Sequence, residues 1–409
     1  MLVDAGVVVG AAGLLAWVYL ALLRHGFWRA DQRLPAAPDV AAPLPPVVAV
    51  VPARNEADVV GAAVTSLLQQ RYSPELHVVL VDDGSEDGTA EAARASARRC
   101  RAEGRLSVLA NPLRPSGWTG KLWAVHNGVR QALSQQPQPR YLLLTDADIR
   151  HDPDGLRALV AKAEGEGRDL VSLMVRLHCV RLPERWLIPA FVFFFQKLFP
   201  FPAVNDPERD TAAAAGGCML VRTEALDRAG GIAAIRGELI DDCALARRIK
   251  ANGSIWLGLA ERTESLRAYD RVGEIWRMVR RCAYTQLGHS PMLLAGTVCG
   301  LALTYLAPPA ALFGGVMGGA WGMAAMAAAG WALMGLLYAP TLRLYRLSPA
   351  WALAMPLTAA AYALMTVDSA WRHWRGRGGE WKGRPAGGLA RAREATAGGD
   401  VPLKPGRRS

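Results

Sequence analysis

The feature that most constrains the fold is an alternation of short apolar strands with helices over roughly residues 47–145. Strands are predicted at Val47–Val51, His77–Val81, Leu106–Leu109 and Tyr141–Leu144, and the intervening helices at Ala57–Gln70, Thr89–Arg101 and Leu122–Leu133. This alternation is typical of a parallel, doubly wound sheet. Ligands bind such sheets at the carboxyl ends of the strands, so the sequence predicts an α/β domain with its site at that edge.

Acidic clusters stand at the predicted strand ends and before one later helix. They are Asn55-Glu56, Asp82-Asp83, Asp146-Ala147-Asp148 and Asp241-Asp242. At the second cluster, the carboxylates could accept hydrogen bonds from a nucleotide base or ribose, and Gly84 would allow a close backbone approach. The alternative at a strand–helix junction is a plain Asx-turn with a helix N-cap.

Two carboxylates separated by one residue, Asp146 and Asp148, follow the strand Tyr141–Leu144. Such a pair can hold a divalent cation, Mg²⁺ or Mn²⁺, which would neutralise a diphosphate. An Asp-Ala-Asp sequence is common in turns, and its place at the end of an apolar strand makes it informative. We expect a divalent metal cofactor at this position.

The later cluster Asp241-Asp242 precedes a predicted helix. One of its carboxylates could be a general base for an acceptor hydroxyl, or both could cap the helix and favour its dipole. Lys121 follows Gly120 at another helix start, which suits a phosphate. Leu122 stands where a P-loop requires Ser or Thr, and this excludes a P-loop ATPase.

A basic segment, Trp276–Arg281, comes just before the C-terminal apolar region. It predicts either an interfacial helix or a contact of Arg277 and Arg280 with a diphosphate. The net charge of +11 is concentrated beside apolar segments and in the tail, so nucleic acid is not an expected partner. The six cysteines show no zinc-site spacing.

The flanks predict a multi-pass membrane protein. We expect an anchor at residues 1–23, a Pro-rich linker at 24–46, a catalytic domain at 47–289, a membrane region at 290–368 and a basic, disordered tail at 369–409. Basic residues after the anchor place the domain on the cytoplasmic side of the inner membrane.

The C-terminal region allows spans near Met292–Phe313, Ala320–Ala339 and Ala350–Val367. Three spans would carry the basic tail to the outer side, unless the third segment is re-entrant or interfacial. The Phe-rich segment Trp186–Phe201 is short for a span. It predicts either a buried core helix or a helix lying in the membrane surface near the acceptor.

Taken together, the motifs resemble family 2 glycosyltransferases with the GT-A fold, over about residues 46–285. The matching residues are Pro52-x-Arg54-Asn55-Glu56, Asp82-Asp83-Gly84-Ser85, Gly120-Lys121, Asp146-x-Asp148, Gly216-Gly217-Cys218 and Asp241-Asp242-x-x-Leu245-x-x-Arg248. The chain looks closer still to hopanoid-biosynthesis-associated glycosyltransferases, through the run Phe193-Phe194-Phe195 and the context of Gly216–Cys218.

The resemblance implies a nucleotide-sugar donor, with a UDP-sugar as the expected kind, a divalent metal, an inverting displacement and a lipid acceptor. By position, Asp242 would be the base and Asp146 and Asp148 the metal ligands. The donor would contact residues from several of the motifs, and others would face the acceptor. The expected donor residues are Pro52, Arg54, Asn55, Glu56, Asp82, Asp83, Lys121, Asp146, Arg277 and Arg280; the acceptor-side residues are Gly217, Cys218 and Asp241.

Two departures from the family pattern bear on the product. The family often has Glu-Asp where this chain has Asp241-Asp242, which leaves the base assignment open. Processive synthases carry Trp after the second basic residue of their last motif, where this chain has Arg281. This difference disfavours a processive polysaccharide synthase. A non-catalytic membrane scaffold that kept the fold is a second disfavoured alternative.

Overall fold

The computed structural model describes residues 2–36, 44–73, 76–135, 138–378, 380–381 and 384–385. Its strands are β1 (Val47–Ala53), β2 (His77–Asp82), β3 (Leu106–Ala110), β4 (Tyr141–Thr145), β5 (Ile149–Arg150), β6 (Leu170–Arg176), β7 (Cys218–Arg222), β8 (Ile255–Ser265), β9 (Glu380–Trp381) and β10 (Arg384–Pro385). Its helices are α1 (Leu2–Leu22), α2 (Ala57–Leu68), α3 (Thr89–Arg99), α4 (Gly120–Leu133), α5 (Gly155–Gly165), α6 (Leu182–Leu198), α7 (Phe201–Asn205), α8 (Thr223–Arg228), α9 (Asp241–Lys250), α10 (Val272–Gln286), α11 (Pro291–Leu301), α12 (Ala307–Met317), α13 (Trp321–Leu344) and α14 (Met355–Trp374).

Eight strands form one mostly parallel sheet in the order β3-β2-β1-β4-β7-β6-β8-β5. β1 pairs in parallel with β2 and β4, so that Ala53 lies opposite Asp82 and Val50 opposite Leu144. The carboxyl ends of these three strands therefore meet at one edge. β7 is antiparallel to both β4 and β6. The predicted strands and helices of residues 47–145 are confirmed, each end lying within two residues of its expected position.

The β1 strand shows why this sequence forms a central strand. All seven residues are buried, and alternate side chains enter different cores. Val48 and Val50 belong to the core beneath α4, whereas Val51 belongs to the core beneath α2 and α3. A strand covered by helices on both faces is apolar throughout rather than alternating with polar residues.

The α4 helix begins where its capping residue places it. The Leu122 N–H donates to Thr119 Oγ1 at 3.2 Å, which satisfies one of the unpaired amides of the first turn. A Cβ on Gly128 would stand 2.5 Å from a methyl of Val50, so α4 approaches the sheet closely. The cap and this packing together fix Lys121 on the first turn, at the carboxyl edge of the sheet.

Within the part of the chain that the structure describes, three helical segments are long and apolar enough to cross a membrane. They are Pro291–Met317, which comprises α11, a π-helical turn and α12, then α13, and finally Pro349–Trp374, which includes α14. The apolar stretch of α1, Gly6–Leu22, is shorter. α1 nevertheless packs on this bundle: the Trp17 indole N–H donates to the Thr304 carbonyl at 2.6 Å.

The Phe-rich helix α6 lies between the sheet domain and the apolar helices. Phe193 is fully buried, and its ring centroid is 5.3 Å from that of Phe27 and 5.1 Å from that of Tyr338. Phe194 packs edge-on against Tyr362. The expectation of a lipid-facing surface helix is therefore corrected for these two rings, because they contact other helices of the same chain.

The predicted linker and tail differ in part from the structure. Phe27 is buried, Leu259 N–H donates to the Gln32 carbonyl at 2.7 Å, and Arg33 pairs with Glu261. The start of the expected linker is thus part of the folded structure. The Phe27 ring is buried, and Gln32 and Arg33 contact residues of β8. α14 continues to Trp374, past the expected start of the tail. Residues 37–43 and 386–409, parts of the predicted linker and tail, lie outside the described residues.

Candidate active site

Lys121 stands among three carboxylates at the carboxyl edge of the sheet. Its Nζ is 3.1 Å from Asp146 Oδ1 and 3.1 Å from Asp241 Oδ2. Burial lowers the pKa of Lys121, but the charges of Asp146, Asp241 and Asp242 outweigh burial and leave the pKa raised. Lys121 therefore remains charged and joins two of the acidic clusters that the sequence singled out.

Asp242 lies at the start of α9, and two backbone amides donate hydrogen bonds to its carboxylate. Its Oδ2 accepts a hydrogen bond from Gly216 N–H at 2.9 Å and its Oδ1 accepts one from Cys243 N–H at 2.7 Å. Burial and the neighbouring Asp241 raise the pKa of Asp242 to about 6, although Lys121 and these amides oppose the shift. A carboxylate with a pKa near 6 is suited to accept a proton at neutral pH.

Burial and the repulsion of neighbouring carboxylates both affect the pKa of Asp146. Burial raises its pKa, and Asp148 and Asp241 raise it further, against the attraction of Lys121. A second cation acts on the same group: burial lowers the pKa of Arg281, but Cys282 and, with smaller effect, Asp241 and Asp146 leave it raised. Asp146 and Asp241 are thus influenced by two protein cations, and a further cation would relieve the repulsion among the carboxylates.

A network of hydrogen bonds connects the residues at the ends of β1 and β2. Asp83 is buried and accepts a hydrogen bond from the Asn111 side chain at 2.7 Å. Arg54 donates to the carbonyl of Asp83, and Asn55 Oδ1 accepts from Glu86 N–H at 3.0 Å. These contacts fix the loop that the sequence associated with a nucleotide base.

Asp82 caps the same loop. Its Oδ1 accepts hydrogen bonds from both the N–H and the hydroxyl of Ser85. This is a capped turn of the plain kind that the sequence offered as the alternative, although its bond reaches three residues along the chain, whereas an Asx-turn reaches two. The turn and a nucleotide contact are compatible, because only one carboxylate oxygen takes part in these two bonds.

Arg267 bridges two predicted site residues. Its Nη2 lies 2.6 and 2.7 Å from the two carboxylate oxygens of Glu56, and its Nε lies 3.0 Å from Asp148 Oδ2. Burial lowers the pKa of Arg267, but Asp148 and Glu56 outweigh burial and keep the guanidinium charged. The predicted metal ligand Asp148 is therefore anchored on one oxygen, which also lies 3.3 Å from Ser265 Oγ.

Three further predicted residues lie in β1 or beside Thr145 at the end of β4. Pro52 is buried in β1 and lines a small cavity with Lys121, Asp146 and Asp241. The Gly217 carbonyl accepts a hydrogen bond from Thr145 Oγ1 at 2.7 Å. Cys218 is fully buried, so its thiol points into the core rather than toward an acceptor.

The basic residues of α10 divide between two surroundings. Arg280 Nη1 lies 3.3 Å from Asp368 Oδ2 on α14, and Arg277 lies 4.0 Å from Glu274. The guanidinium that acts on Asp146 and Asp241 is the adjacent Arg281. Arg277 and Arg280 as donor ligands stay predictions, and Arg281 and Arg267 are site residues that the sequence reasoning missed.

The described residues contain no group of three His, Cys, Asp or Glu side chains that could hold a metal by themselves. Mg²⁺ is commonly bound by one or two carboxylates together with substrate phosphates and water. Asp146 and Asp148 offer such a partial set, and the repulsion around Asp146 favours a cation. The residues present therefore fit a divalent ion completed by ligand oxygens.

Comparison with solved structures supports the class of fold. A mannosyltransferase, PcManGT from Pyrobaculum calidifontis in complex with GDP-Man and Mn²⁺, matches with a TM-score of 0.56 and 21% identity, covering 90% of this chain and 99% of that chain. TarS of S. aureus matches with a TM-score of 0.39 and 17% identity, covering 58% of this chain and 39% of that one. The predicted GT-A-like α/β fold is confirmed by the first likeness.

The family comparison points the same way. Residues 48–230 match the family model described as Glycosyl transferase family 2. This range contains the ends of β1, β2 and β4 as well as the Gly216-Gly217 turn. No curated protein matches the chain. The match covers less than half of the 409 residues and is consistent with the GT-A-like α/β fold.

Proposed function

We propose that the protein is a membrane-bound, inverting glycosyltransferase that moves a sugar from a nucleoside-diphosphate donor to the hydroxyl of a lipid. The observation that carries this proposal is the carboxylate of Asp242. It is partly buried, fixed by two backbone amides and close to Lys121. Its pKa of about 6 suits a base that deprotonates the acceptor hydroxyl.

In this reaction the acceptor oxygen forms a bond to the anomeric carbon as the bond from that carbon to the diphosphate breaks. Asp242 takes the hydroxyl proton, and attack from the face opposite the leaving group inverts the configuration. Lys121 and Arg281 stabilise the charge of the departing diphosphate. Arg281 thus takes the part that the sequence suggested for Arg277 and Arg280.

Asp146 and Asp148 would hold a divalent cation together with diphosphate oxygens. When bound, this ion supplies positive charge that stabilises the leaving group. The presence of GDP-Man and Mn²⁺ in the Pyrobaculum structure supports a search among nucleotide sugars with this metal. We expect a UDP-sugar from the sequence resemblance, and GDP-sugars belong in the same screen.

The acceptor proposal follows from the position of the domain beside apolar helices. Phe193 of α6 packs against Phe27 and against Tyr338 of α13, and three of the described segments could span a membrane. A lipid acceptor, with hopanoids as the class suggested by the resemblance, would reach the site from that side. We place the protein in the inner membrane as a multi-pass protein with its catalytic domain in the cytoplasm.

The test is nucleotide-sugar turnover by the full-length protein in detergent. UDP- and GDP-sugars would be screened with Mn²⁺ or Mg²⁺ and a total lipid extract, beside Asp242→Asn and the double variant Asp146→Ala/Asp148→Ala. The exposed Asp227→Asn on α8 is the matched control. Lipid-dependent release of nucleoside diphosphate that only the site variants abolish would support the proposal.

Two results would favour the alternatives. Products that grow into long polymers would revive a processive polysaccharide synthase. Full cellular function of Asp242→Asn would favour a scaffold and remove the proposed base. The anomeric configuration of the isolated product, read by NMR, tests inversion separately from donor identity.

A further inference from the structure

A second basic site lies on the membrane side of α10, apart from the carboxylates around Lys121. It is a cavity of about 180 Å³ between α10, the loop that follows α10, and the end of α14 with the residues just after it. Its walls carry two histidines and five arginines, namely Arg277, Arg280, Arg281, Arg372 and Arg377. Arg281 belongs to both sites, and the other four arginines belong to this cavity.

The cavity holds more positive charge than its carboxylates can balance. Asp368 accepts hydrogen bonds from the Trp276 indole at 2.7 Å and from Arg280 at 3.3 Å, and lies 4.0 Å from Arg372. Glu274 lies 4.0 Å from Arg277 at an exposed position. Among the residues that the structure describes, these two carboxylates face four guanidinium groups, because Arg281 is also acted on by Asp146 and Asp241.

The shape of the site suits a phosphate group. The rings of His289 and His373 stack with centroids 4.0 Å apart, which closes one wall between the loop after α10 and the end of α14. Arginine side chains on two helices could then approach one anion from different directions. Guanidinium groups bind phosphate oxygens through paired, charge-assisted hydrogen bonds.

The surroundings point to a lipid rather than to a soluble anion. Met292 and Leu293, at the start of α11, are 84% and 56% exposed, and Trp371 and Trp374 at the end of α14 are 50% and 55% exposed. Exposed tryptophans beside apolar helices are typical of the membrane interface, where lipid headgroups lie. A headgroup in the cavity would leave its acyl chains against α11 and α14.

The chain's own tail does not suit this cavity. Residues 379–409 contain seven Lys or Arg and three Asp or Glu, so the segment is repelled by five arginines.

We propose that the cavity binds the phosphate headgroup of an anionic membrane lipid. This site does not depend on the proposed sugar transfer, because lipid binding there requires no donor.

The experiment measures binding of radiolabelled phosphatidylglycerol to the full-length, delipidated protein in detergent, with phosphatidylcholine as the uncharged comparison. We expect saturation near one lipid per chain and at least tenfold preference for phosphatidylglycerol. The double variant Arg277→Gln/Arg372→Gln, at partly exposed side chains, should weaken this binding about tenfold or more. The matched control is Arg98→Gln/Arg101→Gln on the exposed side of the sheet domain, which should stay within about twofold of wild type.

Every other outcome counts against the site. Equal binding of the two lipids, or unchanged binding in the Arg277/Arg372 variant, would overturn the proposal. Inorganic phosphate that competes as strongly as the lipid would indicate a soluble-anion site, and displacement by UDP or GDP with Mn²⁺ would make the cavity part of the donor site. If the double variant fails to melt cooperatively, the single variant Arg377→Gln at an exposed position replaces it and should show the same direction of change.

Discussion

The Nζ of Lys121 lies 3.1 Å from Oδ2 of Asp241, and this contact joins the first turn of α4 to the first turn of α9. The two residues are 120 positions apart in the chain. The first belongs to a glycine-lysine motif and the second to the acidic pair that supplies the proposed base. The contact therefore couples the group expected to bind phosphate to the neighbour of the group expected to remove a proton.

Replacing Lys121 should change the pH dependence of turnover as well as its rate. Lys121 lowers the pKa of Asp242 from the value that burial and Asp241 would otherwise give. Lys121→Met removes this attraction, so the pKa of Asp242 rises and the acid limb of the rate profile moves to higher pH. We expect at least about a hundredfold loss of kcat/KM at pH 7. Lys162→Met, which disrupts a pair with Glu166 on α5, is the control; an unshifted acid limb in Lys121→Met would contradict the assignment.

Neutralising Asp242 should change how stability depends on pH. The folded pKa of about 6 lies above the ordinary value of 3.8, so the folded state binds more protons between these values and wild type loses stability as pH rises through them. From pH 5 to pH 8 this loss amounts to about 1 kcal/mol. Asp242→Asn lacks the loss, and its melting temperature relative to wild type should therefore increase over that interval. Parallel curves for the two proteins would show that Asp242 has no raised pKa.

The charge bridge of Arg267 should matter for stability. Removing this guanidinium leaves Glu56 and Asp148 without the cation that both contact. Because the Arg267 side chain is 35% exposed, we expect Arg267→Ala to lower the free energy of unfolding by about 2 kcal/mol rather than by the full penalty of a buried pair. Denaturation in detergent measures this change. Arg262→Ala, which breaks the more exposed pair with Asp152, should cost less than about 1 kcal/mol.

The edge of the sheet was predictable because strands and their terminal carboxylates are local features. Val47–Val51 is an uninterrupted apolar run before Pro52, and β1 forms at the expected place. Lys121 was found through its glycine neighbour, and Thr119 sets its helix by a local cap. Patterns of a few residues were sufficient for these elements.

The arginines of the site depend on contacts that no local pattern records. Arg280 and Arg281 are adjacent, and successive residues of a helix point about 100° apart. Arg280 is bound by Asp368, 88 residues away, whereas Arg281 is the arginine on which Asp146 and Asp241 act. Arg267 likewise stands outside any motif and is identified only by its distance to Glu56 and Asp148.

The two arginines of α10 should therefore have separable effects. Arg281→Gln removes a cation that acts on Asp146 and Asp241, and we expect donor affinity to fall about tenfold or more. Arg280→Gln breaks the contact with Asp368 and should lower the melting temperature while donor affinity stays within about twofold. Titration calorimetry with the nucleoside diphosphate and Mn²⁺ measures the first quantity. A larger affinity loss in Arg280→Gln would return the donor role to the residue first predicted from the sequence.

Two neighbouring glycines offer a sharper separation of activity from stability. A Cβ on Gly216 would lie 3.3 Å from Lys121 Nζ and 3.4 Å from Asp242 Oδ2, so Gly216→Ala crowds the proposed base without entering the core. A Cβ on Gly217 would instead lie 3.1 Å from a methyl of Val175 and 3.4 Å from Ile149, which overpacks buried side chains at about 1–3 kcal/mol.

We expect Gly216→Ala to reduce kcat strongly with a melting temperature close to that of wild type. We expect Gly217→Ala to lower the melting temperature, with activity falling in proportion to the folded fraction. Turnover and thermal melts on the same preparations measure both quantities. If Gly216→Ala kept full turnover, the space between Lys121 and Asp242 would not be needed for the reaction. The acceptor hydroxyl would then have to approach Asp242 from another side.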